Sequence, residues 1–153
     1  MEIPLPFFLE GFKQSHQRVS LAKNQTDRKQ MFIALFEALN WIASIDDRLR
    51  RNEPKWQDQF GNSGEIVRAI RFGRNRVHHQ WADIFYSRQG LMLPVQIPSP
   101  LFDYVWIEAK QLPSVAKKFE DSDGEALYQQ LLENQPVRHS LLQMEGLFDK
   151  AIS

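Results

Sequence analysis

Cysteine is absent from this chain. That excludes a disulfide framework, a thiolate nucleophile and any thiolate metal site, and it suits a reducing compartment. Neither sign of charge is in excess, because nineteen Lys and Arg balance nineteen Asp and Glu. A sequence-blind nucleic-acid coat is normally basic overall, so any basic surface here has to be local. No apolar run approaches the length needed to span a bilayer. The opening residues, MEIPLPFFLEGF, carry Glu2 and Glu10 and no basic leader, unlike a signal peptide. A cytoplasmic protein with no membrane partner is expected. Internal repeats, low-complexity tracts, a GxSxG elbow, a P-loop, a dinucleotide fingerprint and an HExxH pair are also missing.

The 153 residues, 42% hydrophobic, suffice for a core without staples and predict a single domain over 1–153. Residues 5–22 begin with Leu5, Phe7, Phe8 and Phe12 and then turn polar, which reads as a first helix with one sticky end. Asn24 or Thr26 offers a cap for the next helix. Phe32, Leu35, Phe36, Leu39, Ile42, Ile45 and Leu49 recur at spacings of three and four. They predict a long amphipathic helix over about 27–51, with Arg48, Arg50 and Arg51 complementing its negative end. Pro54 and Gly61-Asn62 mark a loop. A third helix is predicted over about 63–86, with Ile66, Ile70, Gly73, Val77, Trp81 and Ile84 as its buried stripe. Glycine is a poor helix former, so Gly73 within that stripe suggests close approach of another helix.

Residues 87–115 contain Gly90, Pro94, Pro98, Pro100 and Pro113, which exclude a continuous helix. Within them LMLPVQI and DYVWIEA have the content of a short two-stranded ribbon. Helix returns over about 124–152. Pro136 starts a separate segment, Asn134 is its expected cap, and Val137, Leu141, Met144, Phe148 and Ile152 form its stripe. The predicted fold class is all-α: a four- to five-helix bundle with a small β or irregular Pro-rich insertion at 87–115, the second and third helices burying one another.

The third helix concentrates Arg68, Arg71, Arg74, Arg76, His78 and His79. Guanidinium offers planar bidentate donors to phosphate, and histidine moves protons near neutrality. Arginine beside histidine is what metal-free RNA cleavage needs: one group to shift protons and one to hold the phosphate as charge builds. His78 and His79 are adjacent and point apart on a helix, so no metal site and no cofactor are expected.

The stretch RNRVHH at 74–79 resembles the R-N-x-x-x-H signature of HEPN domains, with Arg74, Asn75 and His79 in the matching positions. The resemblance implies a compact helical bundle, usually dimeric, acting as a metal-independent endoribonuclease of the toxin or defence type. Arg74, Asn75 and His79 would be catalytic, RNA the substrate, and a second copy and an antitoxin protein the partners. The Pro-rich segment at 87–115 is not a general feature of that family. Two readings stand beside the enzyme: a non-catalytic helical module that binds RNA or a partner protein, and an unrelated helical domain in which the motif is accidental.

Helix geometry leaves the histidine open. At about 100° per residue, Arg74 and His79 lie roughly 140° apart on a straight helix. Arg74 and His78 share a face, and Arg71 with His78 fits a looser spacing. Two motifs meeting across a dimer would form a composite site. His79 points farthest from the apolar stripe, whereas His78 reads as a packing residue. Asp46 and Asp47 are placed to orient an arginine or histidine, or else are exposed. Arg68 and Arg76 read as solvated, and Asp83 or Glu65 as their surface ion-pair partners. Trp106, Tyr104 and Trp81 could stack bases but read as core.

Overall fold

The computed structural model describes residues 2–22, 25–78, 80, 82–89 and 102–153. His79, Trp81, Asn24 and the LMLPVQI stretch lie outside the described residues. Within them are five α-helices and one antiparallel ribbon: α1 Leu5–Leu21, α2 Arg28–Asn52, α3 Asn62–Val77, β1 Phe85–Gln89, β2 Phe102–Trp106, α4 Ser122–Leu131 and α5 Val137–Ile152. No helix among the described residues is long and apolar enough to cross a membrane.

The apolar periodicities become the buried faces. Leu35, Leu39, Ile42 and Ile45 of α2, Ile66 and Ile70 of α3, and Val137, Leu141, Met144 and Phe148 of α5 join one core. Helix α2 runs antiparallel along α1, because Arg48 near its end pairs with Glu2 before the start of α1, at 3.0 Å. Helix α5 is likewise antiparallel to α1: Lys13 meets Asp149 at 2.7 Å and His16 meets Glu145 at 2.6 Å. The stripes of α2 and α3 meet as expected, with Leu39 and Ile42 beside Val67 and Ile70. Even so, α2 packs mainly along α1, and α3 mainly along α4. Periodicity identifies a buried face and not its partner.

Four boundaries also differ. Thr26 does not cap α2; it lies in a 3-10 turn, Gln25–Asp27, and Asp27 takes the capping position without a side-chain capping bond. The loop after α2 holds a further 3-10 turn, Trp56–Phe60. Helix α3 ends at Val77 rather than near residue 86, and Phe85–Gln89 pairs as a strand with Phe102–Trp106. The aromatic and β-branched run Ile84-Phe85-Tyr86 suits a pleated surface, and only its distant partner strand decides between the two states. Asn134 does not cap α5, where Pro136 occupies that position. Asn134 has φ 61° and turns the chain, while its backbone N–H donates to the Trp106 carbonyl at 3.0 Å. Helix α4 starts at Ser122, with the Asp121 carboxylate accepting from the Gly124 N–H at 2.9 Å, the interaction expected of a good N-cap.

The ribbon is not peripheral. Trp106 is fully buried, and its indole N–H donates to Ser140 Oγ of α5 at 3.0 Å. Its backbone N–H donates to the Gln135 carbonyl at 3.0 Å, which ties the ribbon to the α4–α5 turn. Tyr104 is buried as well, so both aromatics belong to the core.

Gly73 sits where α4 comes closest. A Cβ there would lie 2.7 Å from Tyr128 Cε2 and 2.9 Å from Ile84 Cδ1. Tyr128 cannot swing aside, because it is fully buried and its hydroxyl donates to the Ile107 carbonyl at 2.9 Å. Gly73→Ala is expected to lower stability by about 1–2 kcal/mol, the cost of overpacking less the gain in helix propensity. Thermal unfolding followed by circular dichroism checks this, and a variant melting at or above the wild type would refute the close-approach argument.

Candidate functional site

The arginine-rich end of α3 lies antiparallel against the middle of α2, with Asp46 beside Arg71 and Asn40 beside Arg74. Asp46 occupies the apolar seam of α2, four residues past Ile42 and three before Leu49, and is 2% exposed. Such a carboxylate has to be satisfied by donors. Its Oδ1 accepts from Trp56 Nε1 at 3.0 Å and Gln57 Nε2 at 2.6 Å, and its Oδ2 from Arg71 at 3.1 Å. Arg50 adds a longer ion pair at 3.5 Å. The 3-10 turn that delivers Trp56 and Gln57 is pressed onto the first turn of α3. A Cβ on Gly64 would stand 2.1 Å from the Gln57 carbonyl oxygen, so no larger residue fits there without moving the turn.

Arg71 and Arg74 therefore have different fates. Arg71 is anchored to a buried carboxylate. Among the described residues the side-chain hydrogen bonds of Arg74 are to neutral amides at the outer limit of bonding, Asn75 Oδ1 at 3.4 Å and Asn40 Oδ1 at 3.5 Å. Its Nε is buried and has no hydrogen-bond partner among the described residues. Desolvation lowers the Arg74 pKa, with the Asp47 carboxylate acting in the opposite direction. Arginine remains charged throughout the accessible pH range. Arg74 is thus a partly desolvated cation with donor capacity left over. The dimple between α2 and α3, lined by Leu39, Ile42, Asp46, Val67, Arg71 and Arg74, measures about 10 Å³, room for no more than a single water. Any anion taken by Arg74 approaches from the solvent side.

The remaining candidates distribute as follows. Asn75 is exposed and accepts from Arg74. His78 is half-buried, and its backbone N–H donates to the Arg74 carbonyl at 2.9 Å. Its αR backbone keeps it one turn beyond Arg74 on the same face. His79 lies outside the described residues. Asp47 is exposed and pairs with Arg50 at 2.8 Å. Asp83 pairs with Arg28 of α2 rather than with an arginine of α3. Arg76 is not simply solvated: it is half-buried, its guanidinium lies 5.3 Å from the Phe72 ring centroid, and its Nε too is buried without a partner among the described residues.

Sequence reasoning missed Asn40, Trp56 and Gln57. For the last two one signal was available, a carboxylate at a seam position of α2, which demands buried donors. Nothing local says that the following turn supplies them. Among the described residues no three His, Asp or Glu side chains are grouped to hold a metal ion.

Comparison with known proteins finds no match: no family model, no curated protein and no solved structure is significantly similar to this chain.

Proposed function

We propose that this chain is a HEPN-like, metal-independent endoribonuclease of the toxin or defence type, with Arg74, Asn75 and His79 as its catalytic residues. The single observation that carries the reading is Arg74. A partly desolvated cation whose side-chain hydrogen bonds, among the described residues, are long ones to neutral amides keeps terminal guanidinium N–H groups to donate, and a phosphodiester's oxygens would supply charge-assisted bonds to them. The position of Arg74 and Asn75 in the last turn of a bundle helix, and the anchoring of neighbouring Arg71 by Asp46, fit the same reading.

In this mechanism a histidine takes the proton of an RNA 2′-hydroxyl. The 2′-oxygen attacks phosphorus, and the bond to the 5′-oxygen breaks. The leaving oxygen takes a proton, giving a 2′,3′-cyclic phosphate and a free 5′-hydroxyl. Arg74 stabilises the charge that grows on the non-bridging oxygens, and Asn75 orients the guanidinium through its side-chain carbonyl. A second copy of the chain would bring another motif to the site. Ile3 and Phe7, 55% and 67% exposed, provide apolar surface for that contact, and an antitoxin protein would mask the basic face.

Incubation of purified protein with single-stranded RNA in excess EDTA tests the proposal. Cleavage with cyclic-phosphate ends is expected. RNA retained but left uncut under all conditions would mean the non-catalytic binding module instead.

A further inference from the structure

On the side of α3 away from α2 a second cleft opens, of about 290 Å³, lined by Phe72, Asn75, Arg76, Val115, Phe119 and Asp121. Phe119 belongs to a short 3-10 turn, Lys117–Phe119, between the ribbon and α4. Phe119 is 65% exposed, and it lines the cleft. The Lys118 ammonium lies 4.9 Å from the Phe119 ring centroid, and Lys117 precedes it. On the α3 wall the Arg76 guanidinium stacks over Phe72. Asn75 joins the two sides of α3: it lines this cleft and accepts from Arg74.

We propose that this cleft holds a nucleobase of single-stranded RNA adjacent to the phosphate bound at Arg74, with Phe119 as the stacking platform. This deepens, and rests on, the ribonuclease reading. Three features select a base rather than another occupant. An exposed ring with a cation beside it is the combination that grips single strands: the aromatic face takes the base and the charge takes the backbone. Asp121 at the rim repels phosphate, so the backbone stays outside, at Lys117, Lys118 and Arg74, while the uncharged base enters. The Arg76 guanidinium and the Asn75 amide, both lining the cleft, offer donors and an acceptor to a base edge, which carries both kinds of group. A strand crossing the end of α3 through Asn75 would place phosphate on one side and base on the other.

The test uses the full chain and a 2′-O-methyl oligoadenylate, which has no 2′-hydroxyl to attack, beside an abasic strand of equal length. Wild-type protein should prefer the base-bearing strand. Phe119→Ala should weaken oligoadenylate binding about tenfold, leave the abasic strand unaffected and so erase the preference, while Phe119→Tyr should retain it. Because Phe119 is exposed, circular dichroism should be unchanged in both variants. Unmodified RNA is cut in parallel with wild type and Arg74→Ala. Should Phe119→Ala bind both strands as wild type does while cleavage depends on Arg74, the base site is refuted and the ribonuclease reading stands. Base preference lost in Phe119→Ala without cleavage by wild type upholds the cleft and removes the catalytic reading. No binding of either strand by wild type overturns both.

Discussion

Asp46→Ala is expected to be the most damaging single substitution for stability, by about 3–5 kcal/mol, the range for removing one partner of a buried ion pair. The carboxylate is 2% exposed and accepts from Trp56, Gln57 and Arg71. Trp56 and Gln57 are themselves buried, and each would keep a donor without an acceptor, at a cost of about 1–3 kcal/mol apiece. Arg71, whose side chain is 31% exposed, can turn toward water and recover part of its loss. For a domain of this size the melting temperature should fall by roughly 10 °C. Asp46→Asn separates shape from charge. It keeps an oxygen for Trp56 and Gln57 but turns an amide donor toward Arg71, so an intermediate loss is expected. Thermal unfolding of the three proteins decides the matter. If the alanine variant melts within about 2 °C of wild type, well under the shift expected of a broken buried pair, the network contributes little and Arg71 is not held by it.

Arg74→Ala should lower the rate of RNA cleavage about a hundredfold, the equivalent of roughly 3 kcal/mol of transition-state stabilisation. Stability should change little, because the contacts that Arg74 makes in the folded chain are long ones to the amides of Asn40 and Asn75. Arg71→Ala is the informative contrast. Its guanidinium already serves Asp46, so its removal should act mainly on stability. Loss of cleavage in Arg71→Ala with Arg74→Ala fully active would transfer the phosphate-binding role to Arg71 and overturn the assignment of Arg74. His79→Ala should abolish cleavage and keep the helical spectrum. His78→Ala is the control for the same-face alternative, since His78 stands one turn beyond Arg74. Activity lost only in His78→Ala would leave Arg74 in place and replace the histidine of the R-N-x-x-x-H pattern.

The sequence by itself determined where the helices α2 and α5 lie and which of their faces are apolar, because both follow from spacings repeated within a few residues. The face of α2 from Leu35 to Ile45 and that of α5 from Val137 to Phe148 were legible in this way. So was the need for close approach at Gly73, since a residue of low helix propensity inside an apolar stripe has a steric reading. The tertiary structure alone decided what each face meets. It paired α3 with α4 and α2 with α1, and converted Phe85–Gln89 from helix continuation to strand by bringing up Phe102–Trp106. It also distinguished two arginines three residues apart, alike in the sequence. Asp46, reached across the α2–α3 contact, engages Arg71, while Arg74 makes only long hydrogen bonds to amides among the described residues. Burial and pairing depend on partners distant in the chain, and local periodicity carries no information about where those partners come to rest.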